Sequence, residues 1–459
     1  MKHTVLTLVI LTLISSYAIT QETNSTLYKD NPEIIKLIKA IKPGEMIQLP
    51  KFDIAPAEAL KYHPTFKNGP GVRDYCNKIV YAPDRKSGMY CGANHGVPHR
   101  LNDVWEFHLG SNTWNLICPP GKNATKLRGH ANKLKKNPED KESMEKIKVW
   151  YTGVVMKDGY LQDKANGGPV RPWHTWDGIT YDVRAKTLYW NVLDTQNFTG
   201  KNQKNNIHQK KIRTFAKYSN QDSNELIKRL KPASSMYIYD PEKKRWKRQQ
   251  GEGPFPLMRS MGGTIHYIPD IDKTIFYICA GNMPGGYTEG MWTYDSKTNK
   301  WENLIVGSKV RNLVHKDKVA PGEELQVAYS SVDKKLVAVQ KNSTFIYDFK
   351  TNTWSRGAQR ESFGHDAKST FDYDSSTDQF LLLARKGTNQ WAKSLLAMYS
   401  YDIKTNKWQK TEMPLLKDNT GAKWKQFGNC YAGYYEPTHQ VFVLYGKSKS
   451  GVMVYRHKK

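Results

Sequence analysis

The chain has 459 residues, and its 70 lysine and arginine residues exceed its 43 aspartate and glutamate residues by enough to give a formal net charge of +27. This excess favours an anionic partner such as nucleic acid, an acidic polysaccharide or a membrane surface. Five cysteines spread along the chain exclude a disulfide-dense scaffold. Cys76 and Cys91 flank one predicted hairpin, and either a disulfide or two reduced core thiols fits this position.

The N-terminus reads as an export signal over residues 1–20, with a basic start, an apolar run and small residues near Ala18. We therefore expect a secreted or periplasmic protein, and export favours acidic polysaccharide over nucleic acid as the partner. No later stretch approaches the ~20 apolar residues that a membrane span needs. We expect no membrane insertion, and we expect a monomer. Residues 21–43 form an N-terminal segment, in which 33–43 predict a short helix.

A short phrase then recurs five times: an aromatic residue, usually followed by aspartate, a five-residue polar turn, and a tryptophan seven positions after the aromatic residue. The pairs are Phe107 and Trp114, Tyr239 and Trp246, Tyr294 and Trp301, Tyr347 and Trp354, and Tyr401 and Trp408. A β-like run precedes each copy, so every unit predicts two antiparallel strands joined by a tight turn. His108 replaces the turn aspartate in the first copy, which predicts a structural role for it.

This pattern resembles kelch repeats, which form the four-stranded blades of a β-propeller. The resemblance implies an all-β fold, with a single propeller domain over residues 44–459. Six blades can be counted, and a seventh is expected within 119–172. The last unit lacks its outer strand, so we expect the strand predicted in 44–52 to complete it and close the ring, which removes exposed sheet edges.

Two insertions interrupt the predicted propeller, at 119–172 and 196–232. Loops of this length in a compact domain are usually functional or disordered. Nine lysine and arginine residues lie between Lys201 and Lys231, so the second insertion could guide a polyanion or form a solvated loop.

The loops between blades and those between second and third strands share one face of a propeller, where function usually lies. The candidates on blade-entry segments are Arg73, Arg171, His174 and Arg259, and those on second-to-third-strand loops are Asn94, His95, His99 and Tyr287. Such a set suits β-elimination from a uronic acid. Arginine can neutralise the carboxylate, while histidine and tyrosine can remove the adjacent proton and protonate the leaving oxygen.

The segments GMYCGANHGVPHRLNDVWEF and KDGYLQDKANGGPVRPWHTWDGITYD resemble those of secreted bacterial kelch-type proteins, and the whole chain resembles the propeller-type ulvan lyases. That resemblance implies seven blades and cleavage of a sulfated, uronic-acid-containing polysaccharide without a cofactor in catalysis. It implies His95 and His174 as catalytic residues together with a tyrosine, with base and acid unassigned. The resemblance does not align that tyrosine, and Tyr287 is chosen because its glycine-flanked loop belongs to the same face. Arg259 is the expected carboxylate clamp and Arg73 its reserve. Arg171, His99 and Asn94 are the further substrate-binding candidates.

A structural zinc or calcium ion is also implied by the resemblance. His266 and Cys279 fall on the first two strands of the predicted third blade, where they could share an ion across the hairpin. Zinc would need two more ligands, and no spacing marks them.

Other propeller functions fit less well. A galactose-oxidase-like copper site needs a tyrosine cross-linked to a cysteine, for which Cys430 is the one candidate. Sialidase-type propellers carry different turn motifs. A non-catalytic propeller that binds acidic glycans, as a lectin or surface interaction protein, is the alternative to a lyase.

Overall fold

Six small sheets surround a central axis in the computed structural model, so the chain folds as a six-bladed β-propeller. The structure describes residues 28–71, 73, 76–92, 101–121, 125–170, 172, 175–191, 207–229, 236–249, 251–254, 256, 263–279, 289–361, 369–385, 396–412, 432–446 and 451–457. Within these ranges no helix is both long and apolar enough to cross a bilayer. The predicted export signal lies outside them.

The elements follow one another in a regular order. The N-terminal part contains α1 (Pro32–Ala40), β1 (Met46–Gln48), β2 (Asp53–Ala55), the 3-10 helices Ala57–Lys61 and Pro64–Phe66, and β3 (Lys67–Pro70). Blade 1 contains β4 (Val80–Ala82), β5 (Ser87–Tyr90), β6 (Val104–His108) and β7 (Thr113–Cys118). The first insertion contains α2 (Thr125–Lys136), α3 (Lys141–Tyr151), β8 (Val154–Lys157) and β9 (Tyr160–Asp163). Blade 2 contains β10 (Ile179–Asp182) and β11 (Thr187–Asn191), then the inserted helices α4 (Ile207–Ser219) and α5 (Ser223–Lys228), then β12 (Met236–Asp240) and β13 (Arg245–Arg248).

The remaining blades are more compact in sequence. Blade 3 contains β14 (Thr264–Ile268), the 3-10 helix Pro269–Ile271, β15 (Lys273–Ile278), β16 (Gly290–Asp295) and β17 (Lys300–Val306), and α6 (Gly307–His315) follows it. Blade 4 contains β18 (Gln326–Ser330), β19 (Lys335–Gln340), β20 (Ser343–Asp348) and β21 (Thr353–Arg356). Blade 5 contains β22 (Thr370–Asp374), β23 (Gln379–Arg385), β24 (Leu396–Asp402) and β25 (Lys407–Glu412). Blade 6 contains β26 (Ala432–Glu436), β27 (Val441–Tyr445) and β28 (Val452–Tyr455).

The recurring phrase forms the outer hairpin of five blades. In blade 3, Tyr294 lies directly opposite Trp301, with ring centroids 5.0 Å apart. Asp295 accepts the backbone N–H of Lys297 at 2.8 Å, and Asn299 adopts a left-handed backbone with φ 57°. The Tyr294 hydroxyl donates to the Asn299 side chain at 3.0 Å. Aspartate and asparagine are favoured because both stabilise this turn locally.

Several of the repeat tryptophans also connect their blade to the preceding one. The indole N–H of Trp301 donates to Gln249 of blade 2 at 2.7 Å, and that of Trp408 donates to Thr344 of blade 4 at 2.8 Å. Trp246 of blade 2 similarly donates to the Asn102 carbonyl at 2.9 Å, beside blade 1. One aromatic residue per repeat thus contributes to both the hairpin and the inter-blade contact.

The N-terminal strand closes the ring, as predicted. β1 pairs antiparallel with β28, so that Ile47 lies opposite Val454. β2 adds a fifth strand to blade 1 by pairing in parallel with β7. The predicted short helix is α1, whose first backbone N–H groups are capped by Asn31 and whose Ile34 and Ile38 are buried.

The expected seventh blade is not formed. Residues 125–163 instead fold as two helices and the two-stranded β8–β9 hairpin. The hairpin packs on blade 2, where the Tyr160 hydroxyl accepts a hydrogen bond from the Arg248 backbone N–H at 2.9 Å. This stretch lacks the recurring aromatic phrase, in agreement with the absence of an outer blade hairpin from its described residues.

The two insertions share one apolar core. Helices α2 and α3 pack with α4 and α5 around Ile147, Phe215 and Leu226, and the rings of Tyr151 and Tyr218 stack at 5.4 Å. We call residues 125–163 and 207–229 the helical unit. Residues 207–229 are therefore helical and packed, whereas the sequence analysis expected a loop that either guides a polyanion or is solvated.

The cysteines in the described part of the chain form no disulfide with one another. Cys76, Cys91, Cys118 and Cys279 are all buried thiols, so the first of the two possibilities for Cys76 and Cys91, a disulfide, is not present. Burial raises the pKa of the Cys91 thiol well above its ordinary value.

Truncating a repeat tryptophan tests the inter-blade packing. Trp301→Ala should lower the free energy of unfolding by about 3–5 kcal/mol, because it removes a buried ring. Trp301→Phe should cost about 1–2 kcal/mol, because an aromatic ring remains and the hydrogen bond to Gln249 is lost. Urea unfolding of both variants measures the difference. Equal losses would contradict the proposed role of ring packing.

Candidate functional site

The connections that carry the predicted site residues start and end at one end of the ring. The innermost strands run in the same direction, as the parallel bridges between Lys78 and Gly433 and between Asp177 and Thr264 indicate. All innermost strands therefore begin at the same end of the ring, and the second strands, which run antiparallel to them, finish there. We call it the loop end.

Most of the predicted site residues fall outside the described residues. These are Asn94, His95, His99, Arg171, His174, Arg259 and Tyr287, together with Cys430. The described strand ends on either side of their segments are the end of β5 and the start of β6, the start of β10, the start of β14, and the end of β15 and the start of β16. All of these strand ends lie at the loop end.

Arg73 lies in the interior. Its side chain is fully buried, and its guanidinium donates to the Gly92 carbonyl and to the carboxylate of Asp103, which is also fully buried. Asp103 accepts a second hydrogen bond from the Trp105 indole at 2.7 Å. Arg73 thereby connects the entry of blade 1 to the end of its second strand and the start of its third strand. This placement does not fit the predicted reserve role of a substrate clamp.

Removing the charge of Asp103 tests this structural role. Asp103→Asn leaves the Arg73 charge buried without its counter-ion, and we expect a loss of about 3–5 kcal/mol in unfolding free energy. The control is Glu225→Gln, which removes one partner of an exposed pair with Lys228 and should cost less than about 1 kcal/mol. Chemical denaturation compares the two, and a similar small loss in both would contradict the assignment.

A polar cluster occupies the axis just inside the loop end. The Lys78 ammonium lies 3.4 Å from the Asp177 carboxylate, 3.3 Å from Nδ1 of His266 and 3.3 Å from the Ile265 carbonyl oxygen. Asp177 also accepts the Thr264 hydroxyl and the Val327 backbone N–H. These contacts join blades 1, 2, 3 and 4, and we call Lys78, Asp177, His266 and Asp372 the axial cluster.

Burial sets the protonation of this cluster. It lowers the pKa of His266 well below its ordinary value, and the positive charge of Lys78 lowers it further. Burial raises the pKa of Asp372 to about 6, although its carboxylate accepts the Tyr435 and Tyr373 backbone N–H groups at 2.8 Å each. Burial also raises the pKa of Asp177, against the opposing effect of Lys78. The axis thus holds a neutral histidine and a carboxyl group that can exchange a proton near neutral pH.

Few sequence signals point to this cluster. Asp177 lies three residues after His174 in the same segment, and its contacts depend on the fold. Lys78 and Asp372 lie in ordinary strand-like stretches, and only the closure of the ring brings them together.

The metal site suggested for His266 and Cys279 does not fit the structure. His266 lies opposite Ile275, four residues before Cys279, a separation of roughly 13 Å along an extended strand. His266 contacts Lys78, whereas the Cys279 sulfur lies 3.9 Å from both Glu289 and Nε2 of His315. In the described part of the chain, no group of three histidine, cysteine or acidic side chains is arranged to hold a metal ion.

No known family model matches this chain, and no curated protein matches its sequence. The class of this protein is therefore described by its fold alone, a six-bladed propeller with a helical unit at the loop end.

The raised pKa of Asp372 predicts a pH-dependent contribution to stability. The folded state holds this proton between about pH 4 and pH 6 while the unfolded state releases it, so the stabilisation is present below this window and is lost as pH rises through it. The groups facing the carboxyl group are Lys78, Asp177 and the backbone N–H groups of Tyr373 and Tyr435.

Asp372→Asn should remove that dependence. Relative to the variant, the wild type should lose about 2 kcal/mol between pH 4.5 and pH 7.5, since one pKa unit corresponds to about 1.4 kcal/mol and part of the loss already occurs below pH 4.5. Thermal and urea unfolding at several pH values would measure it. Stability curves of wild type and variant that stay parallel across this range would contradict the prediction.

Proposed function

We propose that this protein is a polysaccharide lyase that cleaves a sulfated, uronic-acid-containing polysaccharide by β-elimination. The main support for the proposal is that the strand ends that flank the predicted site segments all lie at the loop end. The segments with the predicted histidine, tyrosine and arginine residues come from blades 1, 2 and 3, yet the described ends that bound them share the loop end. A rigid ring with its variable segments on one face suits a site assembled from distant parts of a chain.

The helical unit supports an anionic substrate. Residues 125–151 and 207–229 hold fourteen lysine and arginine residues against six aspartate and glutamate residues. The connections that carry these helices start from the outer strand of blade 1 and from the second strand of blade 2, both of which end at the loop end. Positive charge concentrated there would attract an acidic polymer and raise its rate of association.

In the proposed reaction, Arg259 neutralises the uronate carboxylate, which makes the adjacent carbon-bound proton more acidic. One of His95, His174 and Tyr287 removes this proton, and its electron pair forms a carbon–carbon double bond as the glycosidic carbon–oxygen bond breaks. A second member of the set protonates the leaving oxygen. Arg171, His99 and Asn94 hold the neighbouring sugars. The products are one saturated fragment and one unsaturated uronic-acid fragment.

A screen of acidic polysaccharides tests the proposal. Purified protein is incubated with ulvan, alginate, polygalacturonate and chondroitin sulfate, and the ultraviolet absorbance of the new double bond is followed together with reducing ends. The expected result is a rise of both signals with at least one sulfated uronic-acid polymer. Reducing ends without absorbance would indicate hydrolysis and would contradict elimination.

Site variants make the test specific. His95→Ala and His174→Ala should each lower turnover by about 100-fold or more, the scale of a lost acid or base. The control is His439→Ala, because His439 lies in the β26–β27 turn, at the end of the ring opposite the loop end, and its side chain is hydrogen-bonded to Glu436 at 2.7 Å. Full turnover in both site variants would refute the residue assignment.

The alternative is a non-catalytic propeller that binds acidic glycans, and the basic helical unit favours it as much as it favours a lyase. Binding of an acidic polymer with no absorbance from any uronic-acid substrate would select this alternative.

A further inference from the structure

A cavity of about 420 Å³ lies between blades 3 and 4 at the loop end. Its walls include Cys279 after β15, His315 at the end of α6, Lys318 and Glu323 in the following connection, Lys341 in the β19–β20 turn, and Arg356 at the end of β21. Each of these positions is where a strand or connection reaches the loop end. The volume lies within the range of small-ligand sites.

The walls of this cavity are held by specific contacts. The Tyr277 hydroxyl donates to the Pro321 carbonyl, and the Gly322 backbone N–H donates to Gln340 at 3.0 Å. Arg356 donates through Nε to the Lys318 carbonyl. The connection from α6 to β18 is thereby fixed against blades 3 and 4, so the cavity belongs to the rigid frame.

Most of the charged side chains that line the cavity are positive, and these form no ion pair with a described acidic residue. Among the described residues, Lys318, Lys341 and Arg356 form no ion pair, and their side chains are exposed at the rim. The guanidinium of Arg356 lies over the Phe345 ring, 5.5 Å from its centroid, which leaves its terminal nitrogens available as donors.

Glu323 is the one acidic residue among those that line the cavity. One of its carboxyl oxygens is buried without a hydrogen-bond partner in the described structure. Burial and the neighbouring Glu324 raise the pKa of Glu323. In its protonated form this carboxyl group can donate a hydrogen bond to a ligand oxygen.

We infer that this cavity is an anchoring subsite for one acidic sugar of the polymer, whose sulfate or carboxylate contacts Lys318, Lys341 and Arg356. The inference rests on the proposed function in taking the ligand to be an acidic polysaccharide, but it does not require catalysis. It adds a contact on blades 3 and 4 to a predicted centre whose catalytic residues come from blades 1, 2 and 3.

A matched pair of double variants tests the subsite. Lys318→Ser with Lys341→Ser removes two rim charges, and Lys297→Ser with Lys350→Ser removes two exposed charges from outer turns at the opposite end of the ring. Both are made in the full chain with His95→Ala, so that turnover does not consume the ligand. Calorimetry at low ionic strength measures Kd for short oligosaccharides of ulvan, fucoidan (sulfate), alginate (carboxylate) and neutral laminarin.

The rim variant should weaken binding of the acidic oligosaccharides by about fivefold, and the control variant by less than about twofold, because short-range contacts outweigh distant screened charges. A larger loss with fucoidan than with alginate assigns the anion as sulfate, and the reverse assigns a carboxylate. Equal effects of rim and control variants would overturn the subsite, as would unchanged binding. Because the measurement is of binding in the His95→Ala background, its outcome does not depend on turnover. Selective weakening here, together with no unsaturated product from the wild-type protein in the absorbance screen, would refute the lyase and leave the subsite standing.

Discussion

Closure of the ring is the constraint on which the rest of this structure depends. The last blade has only three strands of its own, and β1 supplies the fourth by pairing with β28 across almost the whole chain length. Without that strand, blade 6 would expose a sheet edge, and blades 1 and 6 would lose part of their shared core. The core that includes Ile38, Trp114 and Val454 draws on both ends of the chain for this reason.

Closure also creates the polar axis. Six innermost strands converge on a narrow centre, so polar groups on them must satisfy one another or remain unpaired. Lys78 and Asp177 come from different blades and become partners only when the ring forms. The same convergence shields His266 and Asp372 from bulk water, which shifts their pKa values in the directions that favour the neutral forms. The axial cluster therefore couples proton binding to the assembly of the blades.

The distribution of charge distinguishes the scaffold from the surface that it carries. Buried charges such as Arg73 and Asp103 are paired and stabilise the frame. The helical unit and the cavity between blades 3 and 4 instead present cations at the loop end. This separation is consistent with the proposal that an acidic polymer binds at the loop end.

The sequence by itself determined the repeat and therefore the propeller. The Tyr-Asp turn and the tryptophan act locally, through side chain to backbone bonds and a cross-strand ring pair, so their spacing could be recognised without tertiary information. Closure by the N-terminal strand was also predictable, because a blade that lacks one strand needs another to cover its edge.

Only the tertiary structure decided the blade number, the helical unit and the placement of individual charges. The stretch 125–163 contains strand-like segments, but its helices are stabilised by Phe215 and Leu226 from a distant insertion, a contact that no local pattern reports. Arg73 looked like an accessible cation, and it lies buried against Asp103 because the loop-end segments of blade 1 meet there. Local periodicity thus specified the blades, whereas long-range packing specified which polar residues face one another.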